Sequence, residues 1–167
     1  MHIDKFERYW IVAASLMLGA FFAALIASTI VFGVHLPDPA GRINPADVED
    51  WTNQGFATPG LRDMGDNHYE AHIVAQMWLY NTGDVVDGVP TVRVPQGAVV
   101  TFNVASKDVT HGFYIEYHNV NIMVIPGQIS RATVTFNRPG TYRIVCHEYC
   151  GNGHHNMNAQ VIVEPSA

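Results

Sequence analysis

At 167 residues the chain has room for one domain of ordinary size plus an appendage. It carries 9 basic and 15 acidic residues, for a formal net charge of −6 with histidine neutral. An acidic balance disfavours nucleic acid as a partner and suits a basic soluble one.

In chain order, the first element is an apolar helix. From Ile11 to Val34 no residue is charged, and these 24 residues rise roughly 36 Å as a helix, enough to cross a hydrocarbon layer about 30 Å thick. A signal peptide has a shorter apolar core, about 7 to 15 residues, followed by a small-residue cleavage site. Here Leu36-Pro37-Asp38-Pro39 follows, so residues 1–35 read as an uncleaved transmembrane anchor. Tyr9 and Trp10 suit the interfacial belt at its near end. Lys5 and Arg8 precede the span and the next basic residue is Arg42, which places the N-terminus in the cytoplasm of a single-pass cell-membrane protein. The remainder then lies on the outer, periplasmic or extracellular, side. Residues 35–167 hold 13 acidic and 7 basic residues, so the acidity belongs to that part.

Residues 36–68 read as a linker, broken by Pro37, Pro39, Gly41, Pro45, Gly55, Pro59, Gly60 and Gly65. Asn44-Pro45 predicts an N-cap and first-turn proline for a short helical turn over Ala46 to Trp51. Residues 69–167 form the soluble domain. Eight runs rich in Val, Ile, Thr and aromatics predict strands: His72 to Trp78, Thr91 to Val94, Ala98 to Val104, Gly112 to Tyr117, Val120 to Ile125, Ile129 to Phe136, Thr141 to Cys146 and Ala159 to Val163. Proline–glycine turns separate several of them, at Pro95-Gln96-Gly97, Pro126-Gly127 and Arg138-Pro139-Gly140. With no helical stretch between them, the fold class is all-β, an antiparallel sandwich or barrel behind one transmembrane α-helix.

Between the last two strands lies Cys146-His147-Glu148-Tyr149-Cys150-Gly151-Asn152-Gly153-His154-His155-Asn156-Met157. Thiolate, thioether and imidazole donors at this density select copper over hard cations. A mononuclear site needs one cysteine; two thiolates can bridge two ions. The bland alternative on the oxidising side of a membrane is a disulfide. It would leave His154 and Met157 as accidents and would close a very small loop, where cross-linking stabilises least. A ligand from elsewhere is still needed. His111, at the start of a strand after the polar Lys107-Asp108 turn, is the candidate, because strand ends from distant sequence meet at one pole of a small sandwich.

Asp108-Val109-Thr110-His111 and Cys146-x-Glu148-x-Cys150-x-x-x-His154-x-x-Met157 closely resemble the soluble domain of cytochrome c oxidase subunit II, a cupredoxin Greek-key barrel carrying the binuclear CuA centre. The resemblance implies that Cys146 and Cys150 bridge two coppers and that His111 and His154 each bind one. Met157 and the backbone carbonyl of Glu148 are then weak ligands. The single span resembles the ba-type branch, since the mitochondrial-type subunit has a two-helix hairpin. Ba-type relatives tend to have Gln where Glu148 stands; mitochondrial-type relatives have Glu, which helps to hold magnesium at the boundary with subunit I. The resemblance therefore leaves a magnesium role for Glu148 open. It also puts Trp78 at the family's aromatic electron-entry position, against the alternative of an ordinary core tryptophan. Asp108 is a candidate for orienting His111, or simply a turn cap. His2, His35, His68, His72 and His118 match no ligand position, and His147 and His155 fall between the ligands.

The function implied is that of the electron-entry subunit of a heme-copper oxygen reductase. It takes electrons from cytochrome c or a small copper protein and passes them to heme in subunit I, with no oxygen chemistry of its own. A reading of a different class is a membrane-tethered copper carrier that binds Cu(I) in an open, labile geometry. Nitrous oxide reductase, which shares the dicopper domain, needs a second large domain for which the chain has no room.

Overall fold

In the computed structural model, which describes residues 4–32, 39–50 and 55–166, the apolar run forms helix α1, Lys5–Phe32. At 28 residues it is about 42 Å long and its described side chains are exposed along nearly its whole length. A helix exposing Leu, Ile, Phe and Met all round is unsuited to water, but it suits a bilayer. Two of its polar residues are satisfied within it, since the Ser28 and Thr29 hydroxyls both donate to the Leu25 carbonyl, at 2.8 and 2.9 Å. The predicted end of the span, residues 33–35, lies outside the described residues.

The remainder, Pro39–Ala167, forms a unit of its own. Its strands are β1 (Gly41–Arg42), β2 (Gly60–Gly65), β3 (His68–Gln76), β4 (Leu79–Asn81), β5 (Val85–Val86) and β6 (Val89–Pro95). They continue with β7 (Val99–Ser106), β8 (His111–Ile115), β9 (Val120–Val124), β10 (Gln128–Thr135), β11 (Gly140–Val145) and β12 (Asn158–Glu164). One sheet runs β1-β10-β7-β3-β2, with β4 also paired to β3; the other runs β5-β6-β12-β11-β8-β9. The expectation of a purely antiparallel sheet is corrected at two places. β3 pairs parallel with β7, and β6 with β12. Run spacing reports where strands are, and pairing direction is decided by which strands share the core.

That core is built from alternating positions. Ala71, Ile73 and Ala75 of β3, Val100, Phe102 and Val104 of β7, and Ala159, Val161 and Val163 of β12 all point into it, with Phe113, Ile115 and Ile144. Burying each large side chain contributes about 1.5–3 kcal/mol. Two of the three predicted turns, at Pro95-Gln96-Gly97 and Pro126-Gly127, close on a backbone hydrogen bond. Gln128 N–H donates to the Ile125 carbonyl at 3.1 Å across Pro126-Gly127, with Gly127 at φ +88°, the type II pattern of proline then glycine.

Residues 36–68, read from the sequence as a linker lying over the soluble domain or against a partner, take part in the fold where they are described. β1 and β2 are sheet strands, and β3 begins at His68. Between β1 and β2, Asn44 caps a three-residue 3₁₀ turn, Pro45–Asp47, where the sequence predicts a helical turn; the end predicted for that turn, Trp51, lies outside the described residues. Ile43, Val48 and Phe56 form a second small cluster with Val74 and Ala105 on the outer face of the first sheet. Proline and glycine disguise this segment, because it covers the sheet as a strap without regular periodicity.

The strap is fastened at His72. The Arg62 guanidinium bonds His72 Nδ1 and also donates to the Thr58 carbonyl at 2.9 Å and that of Gly55 at 3.2 Å. Phe56 stands edge-on to the ring at 5.2 Å. Burial, then the Arg62 charge, with Arg131 adding to them against an opposing Glu70, hold the imidazole below its ordinary value. A histidine depressed in the fold contributes stability that is complete above its unfolded value, about 6.5, and is lost as pH falls below it. The thermal midpoint of the chain is accordingly expected to fall between pH 7.5 and 5.5, and to fall less in His72→Gln. Equal slopes in the two proteins would remove His72 as the cause.

Candidate metal centre

Three pieces of backbone converge at one pole. The first is the two-residue turn Met77-Trp78, across which Gln76 pairs with Leu79. The second is the Lys107 to Thr110 turn leading into β8, and the third is the loop between β11 and β12. Asp108 ties the first two together. Its Oδ2 accepts the Met77 N–H at 2.6 Å, while Oδ1 accepts the Val109 N–H at 2.6 Å and lies 2.8 Å from His111 Nε2. Burial pushes this carboxyl up, but the Met77 N–H, the His111 ring and the Val109 N–H together hold it below its ordinary value. Turn cap and histidine partner, the two readings of Asp108, are thus the same group acting twice.

His111 is fully buried, and its Nδ1 has no hydrogen-bond partner among the described residues. A buried, unpaired ring nitrogen costs about 1–3 kcal/mol unless something else accepts its lone pair. A ring nitrogen of His111 and the sulfurs of Cys146 and Cys150 all lie within 4.8 Å of one another. The two sulfurs are 3.8 Å apart and unbonded, so the disulfide reading does not describe this structure. Cys150 Sγ is 3.5 Å from His154 Nδ1 and 3.7 Å from the sulfur of Met157, which is buried. The Glu148 carbonyl oxygen is 3.3 Å from Cys146 Sγ. Its carboxylate is not part of the His111–Cys146–Cys150 group and lies 3.5 Å from His147 Nδ1 at a partly exposed position. All six predicted ligands therefore fall at one place, Glu148 through its backbone. Trp78 is 44% exposed, which removes the core-tryptophan reading. Its Nε1–H donates to the Cys150 carbonyl at 3.2 Å.

Residues that the sequence did not flag complete the site. Gly112 donates its N–H to Cys146 Sγ at 3.4 Å, and a Cβ there would stand 2.6 Å from the His147 nitrogen. The buried Tyr80 hydroxyl donates to the Gly112 carbonyl. Burial, then the neighbouring Cys146, push its phenol far up, so it stays a donor. The Trp78 ring covers Gly153, where a Cβ would strike its Cδ2. Glycine beside a ligand was the available signal, at His111-Gly112 and Gly151-Asn152-Gly153.

Residues 47–164 match the family described as the periplasmic domain of cytochrome c oxidase subunit II. The chain belongs to this family. It is 36% identical to a cytochrome c oxidase subunit 2 of Thermus thermophilus, over 97% of this chain and 94% of that protein. Among solved structures, a chain of a heme-copper terminal oxidase dimer superposes with a TM-score of 0.65 at 33% identity, covering 96% of this chain and 100% of that one. The periplasmic domain of cytochrome oxidase subunit II of Bradyrhizobium japonicum shares the fold at 20% identity and a TM-score of 0.50, over 65% of this chain and 85% of that one. The protein is accordingly a membrane-bound subunit II of a heme-copper oxidase, with a cupredoxin-like domain and a subunit I as its partner. The donor set fits the family's copper. Two thiols, a thioether and imidazoles are soft to borderline ligands, and the unpaired His111 Nδ1 is a nitrogen suited to a metal bond.

Proposed function

We propose that this subunit II holds a binuclear CuA centre and is the point at which electrons enter the oxidase. The carrying observation is the unpaired, buried Nδ1 of His111 beside two unbonded sulfurs 3.8 Å apart. Cys146 and Cys150 would bridge the two ions, His111 and His154 would each bind one, and Met157 and the Glu148 carbonyl would complete the set. Such a pair, when bound, supplies one-electron chemistry with little change of geometry, because two shared thiolates spread the change over several bonds.

The chain's own residues do the rest. Asp108 fixes the His111 tautomer and ring orientation, a contact of the kind whose loss costs about 10–100-fold in metal affinity or activity. Trp78 gives a donor, cytochrome c or a small copper protein, an aromatic contact one hydrogen bond from the Cys150 backbone. Met77 and Leu79 flank it, 47% and 42% exposed, and give the donor an apolar landing. The acidic balance of the domain favours a basic donor. Lys5 and Arg8 keep the helix N-terminus on the cytoplasmic side, so the copper pole works on the outer side, against subunit I. The Glu148 carboxylate, outside the sulfur cluster, is the group that would take magnesium at that boundary.

The purified chain reconstituted with copper tests this. Two coppers per chain, a purple colour and a seven-line hyperfine pattern are expected. A colourless Cu(I) protein with one labile ion would establish the carrier reading in its place.

A further inference from the structure

We infer that Tyr80 sets the reduction potential of the copper centre by pinning the Gly112 peptide that hydrogen-bonds the Cys146 sulfur. This rests on the dicopper reading above and adds a positioning residue to it.

The geometry begins where a ladder stops. β8 and β11 register Ile115 with Ile144 and Tyr114 with Val145, and no pair follows. Two residues beyond that end, Gly112 gives its N–H to Cys146 Sγ at 3.4 Å and its carbonyl to the Tyr80 hydroxyl. Both backbone groups of one residue are therefore held by side chains. The one that holds the carbonyl comes from β4, on the other sheet.

Glycine is required there, because a Cβ would strike the His147 backbone. A glycine is also the residue most able to turn away, so it needs an anchor. Tyr80 supplies it. Its ring is fully buried and stands edge-on to Phe113 at 5.8 Å, on the strand that carries Gly112, so the hydroxyl is aimed by packing.

An N–H aimed at a ligating sulfur withdraws electron density from it. It stabilises the state with more negative charge on sulfur, which is the reduced one, and raises the potential. Removing the Tyr80 hydroxyl frees the Gly112 carbonyl, lets the N–H drift from Cys146, and lowers the potential. A net hydrogen bond of about 1 kcal/mol corresponds to about a five- to tenfold change in the reduced-to-oxidised ratio, and tenfold is about 59 mV for one electron.

The test uses the full chain loaded with copper. Tyr80→Phe keeps the ring and should retain two coppers and the seven-line pattern, while its reduced-to-oxidised ratio at a fixed solution potential falls about five- to tenfold. Tyr142→Phe is the control: its hydroxyl also donates to a backbone carbonyl, that of Arg138 at 2.9 Å, across the turn before β11, whose far end leads into Cys146. It should leave the potential where it was. An unchanged potential in Tyr80→Phe with the dicopper spectrum intact overturns the inference and leaves the dicopper reading standing. Absence of a dicopper spectrum in the unaltered chain overturns both. Should Tyr80→Phe fail to fold, the unaltered protein gives a second readout. Beyond the imidazole N–H protons, one further exchangeable proton coupled to the centre is expected from the Gly112 N–H on Cys146 Sγ, and its absence in spectra compared between H2O and D2O overturns the inference.

Discussion

Replacing Cys146 with serine is expected to abolish the two-copper centre while leaving the domain folded. The exchange of sulfur for oxygen changes little volume, and Cys146 sits at the end of β11, where its neighbours are held by the β11–β12 ladder. The chemistry changes far more. A serine hydroxyl is a hard donor that keeps its proton at neutral pH, so it bridges nothing. What survives is Cys150, His154, Met157 and His111, a nearly complete set for a single ion. Copper per chain should fall from two to one or none, with a blue or green colour or none in place of purple. Turnover of the assembled oxidase with a reduced donor should fall at least about 100-fold, the upper end of what the loss of an outer contact costs a metal site. Two coppers retained with an unaltered spectrum would refute the bridging assignment.

Copper uptake by the metal-free chain should be steeply pH-dependent. Burial, then the charge and hydrogen bond of Cys146 beside it, push the Cys150 thiol up to about 12. At neutral pH the metal-free site therefore holds this proton, and copper must displace it. Affinity then rises about tenfold per pH unit for each proton released, at least about 100-fold between pH 6 and 8. Competition against a chelator corrected for its own protonation measures this. An affinity flat over that range would mean that Cys150 does not enter as thiolate. The same thiol has a second consequence, of defined sign. Its folded value lies above the unfolded one, about 8.5, so the metal-free fold keeps this contribution below about pH 8.5 and loses it as pH rises toward 12.

Much of the site was legible in one dimension, for a reason particular to loop sites. Cys146, Cys150, His154 and Met157 lie within twelve residues, so their proximity is a property of the chain and needs no fold. The anchor was legible likewise, since an uncharged run of 24 residues has few other uses. Strand positions followed from β-branched runs and from turns such as Pro126-Gly127, whose residues dictate their own backbone.

Tertiary structure decided everything that depends on contacts between distant residues. His111 reaches the sulfurs only because β8 and β11 share a sheet, and the parallel pairing of β3 with β7 and β6 with β12 is a choice among cores. Residues 36–68 read as a linker because the apolar contacts of their described part, such as those of Val48 and Phe56, are few and carry no period. Tyr80 was invisible for the same reason, and Gly112 was marked only by its place beside His111: a hydrogen bond to a peptide leaves no pattern in the order of residues. The chain's chemistry is written in its ligands, while their alignment and orientation come from packing.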